Sequence, residues 1–373
     1  MEKNKHKGYR PTWAEINLDN LAHNFYQVKK ITKPSVKVMV CVKADAYGHG
    51  IIPVSKKLES LGVDYLGVAS IDEGIALRKS GIKKPILILG LVLKKDIAPV
   101  FKYRLTPTIC TEELAKVFNA EASKRGKALN VHIKVDTGMG RVGILCRDSL
   151  DFIKKVSLLK SLKMEGVFTH LSCADTDRVF TRGQIRSFDK LIDDIKNSGI
   201  KIPLVHAANS MGLIGYKDSH FNMVRPGLVI YGLYPKPGLK IKLKPVLSLK
   251  TKVIFTKKLP KGHGVSYGRT YITKDLSNIL TLPIGYGDGY PRNLSNLAPV
   301  LIKGKRLKIS GRICMDQIMV DAGNLKVNAA EDVVLIGKQG GGMISTEELA
   351  KLSGTIPYEI TCGLGARVPR IYI

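Results

Sequence analysis

The feature that most constrains the fold is an alternation. Up to about residue 235, short β-branched runs recur, each followed by a stretch with helical periodicity. The runs are VKVMVCV at 36–42, YLGVA at 65–69, ILIL at 86–89, TPTI at 106–109, VHIKV at 131–135, GVFTH at 166–170, LVHAA at 204–208 and NMVRPGLV at 222–229. Strands joined by helical crossovers pair in parallel, and eight of them favour closure into a TIM-type (β/α)8 barrel over a doubly wound open sheet. The helices carry their own punctuation. Ile185, Phe188, Ile192 and Ile195 share a helical face, and Gly199 stands where a C-terminal cap belongs. Thr111 is placed to cap the helix containing Leu114, Val117 and Phe118, with Glu112 and Glu113 at its positive end.

After about residue 240 the texture changes. VLSLKTKVIF, NILTLPIGYGDGY, PVLIKGKRLKIS, ICMDQIMVDAG and EDVVLIG read as strands between Gly, Asn and Lys turns, with one helix opened by a Ser345–Glu348 capping box. The expectation is an α/β barrel over residues 1–240 and a mainly β domain over 241–373. QGGGM at 339–343 reads as a hairpin loop.

Composition excludes several classes. A chain of 373 residues, 44% apolar, can bury a sizeable core without disulfide or metal support. Its longest apolar run, around Pro85 to Leu93, is less than half of a membrane span, and no apolar stretch follows the charged start MEKNKHKGYR as it would in a signal peptide. Six scattered cysteines without a CxxC pair fit the reduced thiols of a cytoplasm, and eight histidines without HxxxH or HExxH spacing do not suggest a metal site. The net charge of +29 raises nucleic-acid binding. Its distribution argues otherwise: +18 on residues 1–240 and +11 on 241–373 is an even density with no basic arm. Solvated surface, with anionic small ligands as a secondary beneficiary, is the expected reading.

Four groups could carry chemistry. In VKADAYGHG at 42–50, Lys43 ends an apolar strand, where desolvation favours a neutral, nucleophilic amine, and Tyr47 shares its side if a helix starts there. In IKVDTGMGRVG at 133–143, Gly138, Gly140 and Gly143 formally match G-x-G-x-x-G, with Glu165 downstream. A dinucleotide fingerprint opens its own βαβ unit, however, and here four strands precede it and Arg141 would crowd the turn. The third group, His170, HAANS at 206–210 and NMVRPG at 222–227, falls at the late strand ends, where barrels gather catalytic groups and bind phosphate. The fourth, VSYGRTY, IGYGDGY, GRICMDQ and IPYEI, lies in the β domain, and spacing alone assigns it no chemistry.

Taken in order, these motifs resemble the alanine racemase family of fold-type III pyridoxal-phosphate enzymes. VKADAYGHG, HIKVDTGMGRVG, THLSCAD, HAANS, FNMVRPGLVIYG, VSYG, IGYGDGY, GRICMDQ and the terminal RVPRIY span essentially the whole chain. The resemblance implies pyridoxal 5'-phosphate as cofactor, interconversion of L- and D-alanine for peptidoglycan, and a cytoplasmic homodimer with shared sites. By the same resemblance Lys43 forms the Schiff base and is one base, and Tyr267 is the second, on the opposite substrate face. Arg225 faces the pyridine nitrogen and is bonded to His206, and His170 stacks on the ring. Tyr47, Ser210, Gly227, Leu228 and Tyr358 form the phosphate cradle, with Asn209 beside it. Arg141 binds the phenolic oxygen and the substrate carboxylate, and Lys134 matches a position that some members carry carbamylated. Met315 and Asp316 are substrate-side residues, and Tyr286 lines the way in. Two departures stand out: Pro357 replaces an expected Asn before Tyr358, and Gly287 an expected Ala. Decarboxylases of basic amino acids share the barrel but lack the second-face tyrosine, so Tyr267 favours racemisation; a serine or broad-specificity racemase stays open.

Overall fold

The computed structural model describes residues 9–373, so most of the charged opening segment lies outside the described part. Ten strands lead through the first part of the chain: β1 (Thr12–Ile16), β2 (Lys37–Cys41), β3 (Tyr65–Val68), β4 (Ile86–Ile88), β5 (Thr108–Ile109), β6 (Leu129–Asp136), β7 (Ile144–Leu145), β8 (Leu162–Phe168), β9 (Leu204–His206) and β10 (Met223–Val224). Without β1 and β7 they are the eight expected runs. Parallel ladders join β10 to β2, β2 to β3, β3 to β4, β5 to β6, β6 to β8 and β8 to β9. Two gaps remain, and backbone hydrogen bonds span both. Ile88 N donates to Thr106 O at 2.9 Å between β4 and β5. Between β9 and β10, Arg225 N donates to Ala208 O at 2.9 Å and Asn222 N to Val205 O at 3.3 Å. The ring closes.

Closure divides each strand between two cores, because successive side chains point to opposite faces. In β6, Val131, Ile133 and Val135 join the large apolar cluster, which also takes in residues of the surrounding helices, such as Phe118 and Phe188. A second cluster, Met39, Tyr65, Leu87, Phe168, Leu204 and Met223, takes one residue from each of six barrel strands and fills the interior. His132, Lys134 and Asp136 are the alternate, buried residues of β6. The barrel interior is therefore partly polar.

The helix Arg178–Asn197 buries Ile185, Phe188, Ile192 and Ile195, and Gly199 follows its cap at φ 77°. Thr111 accepts from Leu114 N at 3.3 Å, as the capping pattern requires.

β1 does not belong to the barrel. It pairs antiparallel with Leu247–Lys252 and parallel with Arg370–Tyr372, so the start and end of the chain lie side by side in the sheet of the β domain. Asp332–Gln339, Pro299–Ile302 and Lys305–Lys308 extend that sheet. Asp332–Gln339 also folds back on Gly342–Ile344, which makes QGGGM a hairpin loop. A three-stranded sheet, Phe255–Leu259, Ser277–Leu282 and Ile318–Asp321, carries the remaining motifs on its connections. Ser345 accepts from Glu348 N at 3.1 Å, but the Glu348 carboxylate turns to Arg306, so only half of the capping box forms.

Candidate active site

In a parallel barrel all strand C-termini share one rim, and five of them bring the candidate residues there. Lys43, two residues beyond β2, is half-buried. The turn it opens is not the right-handed helix that would place Tyr47 by ordinary periodicity. Ala44, Asp45, Ala46 and Tyr47 all have left-handed φ, from 51° to 55°. Each such non-glycine residue costs roughly 1–2 kcal/mol, so the turn needs external support. Ala44 N donates to Glu73 Oε1 at 2.6 Å, Ile51 N to Asp45 Oδ1 at 2.7 Å, and His49 Nδ1 lies 3.0 Å from Ala46 O. Gly48 completes it at φ 82°, where a Cβ would sit 2.0 Å from Thr361 O.

The turn delivers Tyr47 to a small cradle. A Cβ on Gly227 would lie 2.6 Å from the Tyr47 hydroxyl, so only glycine admits this approach. Gly227 N donates to Ser210 Oγ at 3.0 Å, which leaves the Ser210 O–H free to donate elsewhere. Asn209 caps the turn at Ser210 by accepting from Met211 and Gly212 N–H and donates to Leu171 O at 3.0 Å. Leu228 opens a 3₁₀ turn directly after Gly227. The Tyr358 ring stands 6.4 Å from Tyr47, edge to face. Pro357 occupies the first helical position of Pro357–Gly363, where an N–H would have no helical partner in any case. Burial holds the Tyr47 hydroxyl well above the usual phenol range, so it remains a donor.

Across the rim, Arg225 is 3% exposed. Its guanidinium donates to Thr169 O at 2.7 Å, Ala207 O at 3.0 Å and His206 Nδ1 at 2.9 Å, with His170 Nδ1 at 3.5 Å. Burial lowers it to about 10, so it stays cationic at neutral pH. Burial and then this cation hold both His206 and His170 well below the ordinary imidazole range. Lys134 is buried, with Nζ 4.4 Å over the Phe168 ring. Burial first, then Arg225 and Arg141, hold its ammonium well below the usual lysine range. Arg141 itself is exposed on the loop after β6. That loop is shaped by Asp136, which accepts from Gly138, Met139 and Gly140 N–H at 2.7–2.8 Å. It ends in β7, paired with β6, not in a helix, and so lacks the geometry of a dinucleotide turn.

Tyr358 apart, the β-domain candidates make no hydrogen bond, ion pair or ring contact with this cluster among the described residues. Tyr267 sits at the tip of the Gly264–Val265/Tyr271–Ile272 hairpin and is 69% exposed. Met315 and Tyr286 are also exposed. Asp316 accepts from Arg367 at 2.7 Å, and Tyr286 N donates to Cys314 O at 3.0 Å. Gly287 leaves room for Arg367, whose NH1 would lie 2.6 Å from a Cβ there. Sequence reasoning missed His132, which faces His206. The signal was legible in HIKVD, where polar residues at every second position mark a polar inner face.

Fold and site together define a barrel enzyme with a strand-terminal lysine, a small-anion cradle and an appended β domain, the architecture of the barrel-type amino-acid racemases. The model of the alanine racemase N-terminal domain matches residues 16–235, and that of the C-terminal domain matches 246–372. An alanine racemase of Halothermothrix orenii is 48% identical over 97% of each chain, and one of Carboxydothermus hydrogenoformans 44% identical over 98% of this chain and all of its own. Among solved structures, alanine racemase of Clostridium difficile 630 superposes with a TM-score of 0.93 at 39% identity, covering 98% of this chain and 97% of that one. The chain belongs to the alanine racemase family.

Proposed function

We propose that the chain interconverts L- and D-alanine with pyridoxal 5'-phosphate, using Lys43 and Tyr267 as opposed bases, and so supplies D-alanine for peptidoglycan. The observation that carries this reading is the cradle beside Lys43: Gly227 without a side chain, the Tyr47 hydroxyl held protonated, and the free Ser210 O–H. These donors suit a phosphate ester, and a Cβ at 227 would fill the space. When bound, the cofactor supplies an electron sink that acidifies the substrate Cα–H.

The chain's own residues account for the rest. Arg225 keeps its proton at neutral pH, so it would offer the pyridine nitrogen an N–H donor without protonating it, and the weaker sink would disfavour side reactions such as transamination. Arg141 supplies the cation for the substrate carboxylate, and the Asp136-capped loop orients it. Lys134, whose ammonium is disfavoured first by burial and then by Arg225 and Arg141, is biased toward the neutral amine that carbamylation requires. His170 would hold the ring of the cofactor, Met315 and Asp316 would serve the substrate side, and Tyr286 would line the way in. Racemisation removes a proton from one face of Cα and returns it to the other, so the bases must stand on opposite sides. Lys43 holds one face. Tyr267 reaches the other from the partner subunit of a homodimer, a reading supported by its exposure and by that of Ile254, Phe255, Ile272, Leu276 and Met315 on the same domain.

Borohydride reduction followed by peptide mapping tests the assignment. The cofactor label is expected on Lys43; a label on Lys134 or elsewhere would overturn it.

A further inference from the structure

A polar chain runs through the barrel core from Arg225 to the opposite end, and the reaction proposed above does not account for its length. Arg225 NH1 meets His206 Nδ1 at 2.9 Å, His206 Nε2 meets His132 Nδ1 at 2.9 Å, and both rings are fully buried. Beyond them, His132 Nε2 and Glu165 Oε2 are buried, have no hydrogen-bond partner among the described residues, and face each other at 3.5 Å. The other oxygen, Glu165 Oε1, accepts from the Tyr65 hydroxyl at 2.8 Å and from Asn130 Nδ2 at 3.0 Å.

The donors dictate every proton position. Arginine has only N–H donors, so His206 Nδ1 must accept and Nε2 must carry the proton. That proton points at His132 Nδ1, so His132 also carries its own on Nε2, directed at the carboxylate. We infer that Glu165 is a positioning residue for Arg225: it is the terminal acceptor of a one-way chain that fixes both histidines as neutral Nε2–H tautomers and locks the guanidinium they support. Its carboxylate is also the counter-charge that a fully buried arginine otherwise lacks along this path. The role toward the cofactor rests on the function proposed above; the proton order does not.

Glu165→Gln tests it sharply. Tyr65 and Asn130 both donate to Oε1 and would keep the amide oxygen there, so the amide nitrogen would face His132 Nε2 as a second donor. The chain then cannot be satisfied unless His132 moves its proton to Nδ1, against the His206 N–H. Long-range proton–nitrogen spectra of the full-length protein labelled at histidine should show His132 and His206 as Nε2–H in the wild type and in Tyr65→Phe, which keeps the charge. In Glu165→Gln the His132 pattern should change. With substrate, Glu165→Gln should lower kcat about tenfold with little change in KM, well short of the ~10⁴-fold loss seen where a carboxylate holds the reacting imidazole itself. A cationic His132, an Nδ1–H proton on either wild-type ring, or unchanged tautomers in Glu165→Gln would overturn the inference. If that variant does not fold, the wild-type and Tyr65→Phe spectra decide it alone. The spectra need no cofactor, so their failure and that of the functional reading are distinguishable.

Discussion

Single atoms decide several features of the site. The missing Cβ of Gly227 lets the Tyr47 hydroxyl come within reach of the cradle, and Gly227→Ala would place a methyl 2.6 Å from that oxygen. We expect the variant to fold but to hold pyridoxal phosphate about tenfold or more less tightly, measured by titrating cofactor into the freed protein, since one displaced charge-assisted hydrogen bond is worth roughly 1.5–3 kcal/mol. On the proposed two-base reading, Tyr267→Phe removes one base only. Deuterium exchange at Cα should fall about 10²–10⁴-fold from one enantiomer and far less from the other; small, equal losses would show that Tyr267 is no base. At this scale the sequence was most legible in where residues stand, with Lys43 after β2 and Arg225 after β10 at the strand ends, while the roles proposed for them rest on the family resemblance. It was least legible for His132 and Glu165, whose role depends on neighbours 74 and 100 positions away, His206 and Tyr65.

At the scale of elements, the eight barrel strands were legible because β-branched runs bounded by helices leave few alternatives. β1 was not, since TWAEI is short and its partners, Leu247–Lys252 and Arg370–Tyr372, lie more than 200 residues away. The left-handed turn at 44–47 was hidden as well, because Ala and Tyr there have no intrinsic preference for it. Partners outside the turn hold it, the Glu73 carboxylate accepting from Ala44 and the Ile51 N–H donating to Asp45. The Asp136 loop obeys the same logic: one carboxylate organises three backbone N–H groups that set the position of Arg141. Asp136→Ala should therefore raise KM for alanine about tenfold or more, because small displacements of a binding group are costly. It should change the far-ultraviolet circular dichroism little. An unchanged KM would show that the loop holds its shape without Asp136.

The whole molecule couples these parts through its burial of charge and through its surfaces. His49, His132 and His206 are fully buried, and burial lowers all three, His49 to about 4. The unfolded chain takes up these protons near pH ~6.5 while the folded chain does not, so the unfolded state binds more protons below that value. Stability should fall as pH drops from ~6.5 toward 4, by at most tenfold in the folding equilibrium per histidine per pH unit. Denaturant midpoints measured across that range check this, and a flat profile would contradict it.

In the reading proposed above, a site on one barrel is completed by the β domain of a partner. Within one chain Tyr267 is 69% exposed at a hairpin tip, while Lys43 and the cradle lie on the barrel rim. Subunit mixing tests this directly. Lys43→Ala and Tyr267→Ala should each be inactive alone. In a mixed two-fold dimer one site receives both damaged residues and the other neither. Random exchange makes about half of the dimers mixed, so activity should return to about a quarter of wild type. If the subunits exchange, as shown by differential labelling, and no activity returns, Tyr267 serves the Lys43 of its own chain and the shared-site account is wrong.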